Sequence, residues 1–174
     1  DDRRIRVATV LTPALLDSLE KGARVVLVAP ADTGAAPGID PIEVGFSPIF
    51  WNTAWTQGQA PHTLGILCDP RHPALRSFPT GSSSDWQWWD AIHNARAVRL
   101  PHRDPAVVPI VRLIDDWNRN RPLALVAEFR VGRGRLLVSG IDLTGDRPLT
   151  PSLAWLRHSI LAYFSKSAAD PEVA

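Results

Sequence analysis

Thr12-Pro-Ala-Leu-Leu-Asp-Ser-Leu-Glu-Lys-Gly22-Ala-Arg-Val-Val-Leu-Val-Ala29 is the stretch that decides the fold class. Thr12 is a side-chain cap, and Pro13 takes the first helical position, where a missing N–H is no loss. Leu15, Leu16 and Leu19 share one face, which predicts an amphipathic helix over residues 14–21. Gly22 stops it. Residues 23–29 then form a nearly continuous apolar run, as expected of a strand covered on both faces. Helix, glycine stop and doubly covered strand together imply a layered α/β domain.

The flanking sequence extends the pattern. Residues 5–10 alternate and predict a short strand, and residues 30–41, rich in Gly, Ala, Pro and Asp, predict a loop. Phe50, Trp51 and Trp55 form a helical stripe suited to the core. Further strands are predicted over residues 63–68, 95–100 and 107–114. Residues 123–131 and 135–140 make two more, joined by Gly132-Arg133-Gly134 as a tight hairpin. Thr150-Pro151 repeats the earlier helix start, and residues 149–165 read as a final amphipathic helix. The expectation is a three-layer α/β domain over residues 1–166. Its sheet is mainly parallel with helices on both faces and an antiparallel hairpin toward one edge. Residues 167–174 form a polar tail.

Composition narrows the partners. The chain has 174 residues, 45% of them hydrophobic and 21% charged, enough to bury a core. Net charge is +1, which supplies no electrostatic attraction for nucleic acid or an anionic membrane. No run approaches the roughly 20 apolar residues of a membrane span. With Cys68 alone there is no internal disulfide. The opening Asp1-Asp2-Arg3-Arg4, without Met, is what a segment of a longer polypeptide would show.

Three of the seven tryptophans fall within Ser84-Asp-Trp-Gln-Trp-Trp-Asp90. Ser84 or Asp85 would cap a helix there. On it Trp86 and Trp89, three apart, share a face, and Trp88 points elsewhere. Two readings stand. The rings form a platform for a flat ligand such as a sugar, or one or two of them pin the helix to the core, the commoner use of aromatics at this spacing.

No catalytic constellation is legible. Cys68 ends a strand, and His72 follows four positions on, so a thiolate–imidazole hydrolase is one alternative. Its flanks, Leu67 and Asp69, are not the glycines of a nucleophile elbow. The glycines of residues 30–41 form neither a dinucleotide fingerprint nor a P-loop. The five histidines are dispersed, so neither a metal set nor a cofactor site is expected. Asp115 and Asp116 are adjacent, and in a strand would face opposite ways, unlike a glycosidase carboxylate pair.

Two resemblances follow. The order of elements, the Thr12–Ala29 unit and the hairpin over residues 129–138 resemble the class I glutamine amidotransferase-like domain, whose fold is flavodoxin-like. The cysteine elbow and His-x-Glu pair of its active members have no counterpart here. Gly65-Ile-Leu-Cys-Asp-Pro-Arg-His-Pro-Ala-Leu75, Phe78-Pro79-Thr80, Asp85-Trp-Gln-Trp-Trp-Asp90 and Ile114-Asp-Asp-Trp117 resemble a segment near the C-terminus of bacterial family 2 glycoside hydrolases, the β-galactosidase-like enzymes. That resemblance covers roughly residues 12–143. It implies a non-catalytic accessory domain whose partners are other domains of the same polypeptide and a plant or bacterial saccharide, with a periplasmic or secreted location. Sugar stacking would fall to Trp86, Trp88 and Trp117. Asp85, Gln87, Asp90, Asp115 and Asn118 would bond its hydroxyls. An oligomerisation module is a further alternative.

Overall fold

In the computed structural model, residues 5–29, 39–45, 62–93, 95–101, 107–116, 119–146 and 148–166 are described. Phe50, Trp51, Trp55, Trp117 and Asn118 lie outside them, as do residues 30–38 of the predicted loop. Among the described residues one sheet contains eight strands: β1 (Ile5–Ala8), β2 (Arg24–Val28), β3 (Ile39–Glu43), β4 (Gly65–Cys68), β5 (Arg96–Arg99), β6 (Val111–Ile114), β7 (Leu123–Val131) and β8 (Gly134–Ser139). The helices are α1 (Pro13–Glu20), α2 (Trp89–His93) and α3 (Pro151–Ser165), with 3-10 turns at Pro73–Leu75 and Trp86–Trp88.

Local chemistry set the helix ends as expected. Thr12 Oγ1 accepts from Leu15 N at the start of α1, and Thr150 Oγ1 accepts from Leu153 N at the start of α3. Gly22 (φ +107°) carries the chain out of α1 in a conformation that side-chain-bearing residues rarely adopt. The predicted loop ends earlier than expected, because residues 39–41 already belong to β3.

The sheet corrects one expectation. Among the described residues, only β1 with β2 and β2 with β8 run parallel, and the other five pairings are antiparallel. The order is β1-β2-β8-β7-β5-β3, with β6 and then β4 on the opposite edge of β7. The apolar runs were read as marks of a parallel sheet. They report two covered faces, and say nothing of the neighbours' direction. Residues 123–127 of β7 are all buried within antiparallel ladders.

Helices do cover both faces. On one, Leu11, Leu15 and Leu19 from α1 and its approach pack with Val25, Leu136, Val138 and Ala127. On the other, Leu156, Ile160 and Phe164 of α3 pack with Val26, Val28, Leu125 and Leu137. A bulge in β7 joins the two patterns. Val111 pairs with Val126 but Arg112 with Ala124, so Leu125 is the extra residue, and Leu125 and Val126 both face α3.

One edge of β7 is shared. Residues 126–131 pair with β8, and residues 123–124 with β5. Gly140 occupies the fork. Its N–H donates to Leu125 O and its carbonyl accepts from Arg96 N, each at 2.8 Å. A Cβ here would lie 1.8 Å from Arg96 O, a backbone atom with no room to yield.

The C-terminus of α3 is capped by the sheet. α3 carries no basic residue in its own last turn. Arg24 donates to Ser165 O and Arg135 to Lys166 O, placing two cations at the negative end of the helix. Arg135 also grips Glu128 (Nε to Oε1, 2.5 Å), while Tyr163 OH donates to Glu128 Oε2 at 2.9 Å.

Two outcomes are expected. Gly140→Ala should cost about 3 kcal/mol or more, measured as a lowered urea midpoint, since main chain would have to separate at the fork. Burial and the neighbouring Glu128 charge push the Tyr163 phenol up to about 12. The folded state therefore favours the neutral phenol: its contribution to stability is intact below about pH 10 and is lost as pH rises from there through 12. Tyr163 is the only tyrosine, so tyrosinate absorbance reads it directly. Titration near 10 in the folded protein would contradict this packing.

Candidate functional site

The tryptophan segment is built by its cap. Asp85, in extended conformation, accepts from Trp86 N through Oδ1 at 2.6 Å and starts the turn that leads into α2. The predicted helix is thus a 3-10 turn followed by a five-residue α-helix. Trp88 turns inward. It is fully buried, edge-on to Phe78 (centroids 5.1 Å apart), and its indole Nε1–H donates to Thr80 Oγ1 at 2.8 Å. An indole with both faces packed offers nothing to a ligand, so Trp88 is a core anchor and not the contact residue expected.

Trp86 and Trp89 turn outward, with 84% and 46% of their surface exposed. Their centroids are 6.3 Å apart and their planes 41° from one another. His93, also exposed, lies against the Trp89 ring, with centroids 4.5 Å apart and planes 38° from one another. The spacing 86, 89, 93 is one face of a helical turn, and that signal was present in the sequence. Trp89 and His93 were nonetheless missed as site residues. Trp155 on α3 is also exposed, at 53%.

The expected hydroxyl-binding groups divide. Gln87 Nε2 donates to Pro79 O at 2.9 Å and holds the loop beneath the turn. Asp90 Oδ2 accepts from Ser152 Oγ at 2.7 Å, tying α2 to the first turn of α3; that bond holds its carboxyl below the usual range. Asp115 is buried just past β6. Arg121 Nε reaches Oδ2 at 2.8 Å and Nη2 reaches Oδ1 at 2.9 Å, and the backbone N–H groups of Asp116 and Arg121 also donate to it. Burial pushes this carboxyl up, and the Arg121 bonds outweigh that and leave it lowered. It clamps Arg121 to the end of β6, and both of its oxygens are engaged in those bonds. Asp85 is exposed beside Trp86.

Cys68 and His72 are not assembled into a nucleophile and base. Cys68 Sγ donates to Gly81 O at 3.4 Å, and His72 Nδ1 accepts from Ala74 N at 3.1 Å as the cap of a 3-10 turn. The His72 ring meets Tyr163 edge-on at 5.4 Å. Burial pushes the thiol up and the imidazole down, opposite to what a thiolate–imidazolium pair requires. Among the described residues no three of His, Cys, Asp and Glu gather as a metal set, and no helix is long and apolar enough to cross a membrane.

The folded protein should therefore alkylate at Cys68 more slowly than free cysteine at neutral pH, and faster once denaturant is added. Reactivity above that of free cysteine would restore the hydrolase alternative. His72 carries a depressed folded value, so stability should decline as pH falls below its ordinary 6.5, because the unfolded chain takes up the proton first.

Comparison with known proteins follows from this geometry. No functionally curated protein matches the chain. A cytoplasmic protein from Salmonella typhimurium is similar in structure, with 11% identity and a TM-score of 0.43. The similarity covers 90% of this chain, which spans 61% of the length of that protein. A family model described as "Domain of unknown function (DUF8487)" matches residues 6–174, and the chain belongs to that family.

Proposed function

We propose that this is a non-catalytic accessory domain of a multidomain glycoside hydrolase, packing against its other domains and making weak carbohydrate contact. The observation that carries the reading is Trp86: a large indole held 84% exposed by its own capped turn, next to a second exposed indole. Leaving that much apolar surface in water gives up roughly 2 kcal/mol of burial free energy, so a ligand that covers it has a ready driving force. The C–H face of a pyranose is flat, apolar and rimmed by hydroxyls, which suits an indole beside a carboxylate such as Asp85.

Two further points support it. The residues resembling the glycoside hydrolase segment, Gly65–Leu75 and Asp85–Asp90, form β4, the turns after it and the start of α2, and Ile66 N donates to Ser84 Oγ beside a Leu67–Ser83 bridge that joins them. The β1–β2–β8 unit, parallel and covered by α1, is the portion compatible with an amidotransferase-like relationship. Against catalysis stands the engagement of Asp115, Cys68 and His72 in structural bonds.

Tryptophan fluorescence should shift saturably when this chain is titrated with galactosides or pectic oligosaccharides. Trp86→Ala should weaken that binding about tenfold while leaving the unfolding midpoint nearly unchanged, since the ring is outside the core. No response to any galactoside, pectic oligosaccharide or other plant glycan would remove the carbohydrate reading.

A further inference from the structure

We propose that His72 is an acid-sensitive latch between α3 and the turn that follows β4: the neutral imidazole holds the turn closed, and a proton on the ring loosens it. One hydrogen bond decides the ring's state. Ala74 N donates to His72 Nδ1 at 3.1 Å. A ring nitrogen accepts only while it carries no proton, so this bond requires the neutral ring with its hydrogen on Nε2. Pro73 has no N–H, so Ala74 supplies the first one of the 3-10 turn. Protonation of His72 would aim a second N–H at that of Ala74, donor against donor. Ala74 is completely buried, so its amide has no water to turn to.

The latch holds the contact of this turn with α3 and Trp88. Leu75 and Phe78 are buried, Phe78 lies edge-on to Trp88, and Ser77 N donates to Ser159 Oγ of α3 at 3.1 Å. The imidazole packs edge-on against Tyr163, with centroids 5.4 Å apart, and cannot swing aside without giving up that contact. Its titratable and charged neighbours come from each element packed against it. On α3 the neighbour is Tyr163, whose raised phenol stays neutral in acid. On β7 it is Glu128, held by Arg135 of β8 and by the Tyr163 hydroxyl, and Arg135 also lies over the Tyr163 ring. In the turn itself Asp69 is bonded to Arg71. Burial disfavours the protonated ring, Glu128 and Asp69 favour it, and burial prevails. The open turn therefore takes up the proton more readily than the closed one, and acid shifts the balance toward it.

Hydrogen exchange and nitrogen-15 shifts of the imidazole test this on the chain as it stands. From about pH 7.5 to about pH 5, protection of the Ala74 and Ser77 amides, corrected for intrinsic rates, should fall about tenfold, the effect of losing one buried hydrogen bond. The amides of Leu19 in α1 and Leu137 in β8 should keep theirs. The His72 nitrogens should report the Nε2–H tautomer at neutral pH and a midpoint below 6.5. His72→Asn offers Ala74 N an acceptor that does not titrate, and should abolish the pH dependence at both amides. An Nδ1–H tautomer, unchanged protection in acid, a loss shared equally by α1 and β8, or pH dependence persisting in His72→Asn would overturn the inference. The tautomer and exchange measurements on the unaltered chain decide it even if that variant does not fold.

Discussion

The main-chain contact at Gly140 is the constraint on which the rest depends. β6 takes one edge of β7, and two strands, β8 and β5, must share the other. Gly140 ends the first and bonds the start of the second, with its carbonyl to Arg96 N and its own N–H to Leu125 O. Only a residue without a side chain lets Arg96 O come so close. The parallel half, β1-β2-β8, and the antiparallel half, β5-β3, are thereby held on a common strand, with β6 and β4 opposite.

From that sheet the helical layer is held by polar contacts as much as by apolar ones. Phe164, Ile160 and Leu156 supply the burial. Arg24 and Arg135 then fix the end of α3, and Glu128 is gripped by Arg135 and Tyr163 together. These groups are only partly exposed, so the pairing has more effect than a surface ion pair would have. Ser159 Oγ accepting from Ser77 N and Asp90 accepting from Ser152 join α3 to the segments before and after the buried Trp88. Trp86 and Trp89 therefore project from a segment tied to α3 on both sides of Trp88.

The polar residues expected to bind hydroxyls illustrate why residue type alone misleads. Asp85, Gln87, Asp90 and Asp115 all have suitable chemistry for hydroxyls. In the fold, Asp115 is closed off by Arg121, Gln87 and Asp90 hold neighbouring segments, and Asp85 alone combines a fixed position with exposure. Likewise Cys68 and His72 lie four residues apart in sequence, yet their burial and hydrogen bonds move their proton affinities in the unproductive directions.

Local chemistry by itself determined the helix starts at Thr12-Pro13 and Thr150-Pro151, the stop at Gly22, the hairpin at Gly132-Arg133-Gly134 and the capped turn at Asp85. Each is decided by atoms within a few residues. The pairing of Trp86 with Trp89 belongs to the same class, because helical spacing is a local property. Strand direction, the bulge at Leu125, the fork at Gly140 and the inward turn of Trp88 were decided only by the tertiary structure. An apolar run records that both faces are covered without recording by what, and a ring is a core anchor or a contact surface according to what packs over it. Those answers come from residues distant in the chain, such as Arg96 against Gly140 and Phe78 and Thr80 against Trp88.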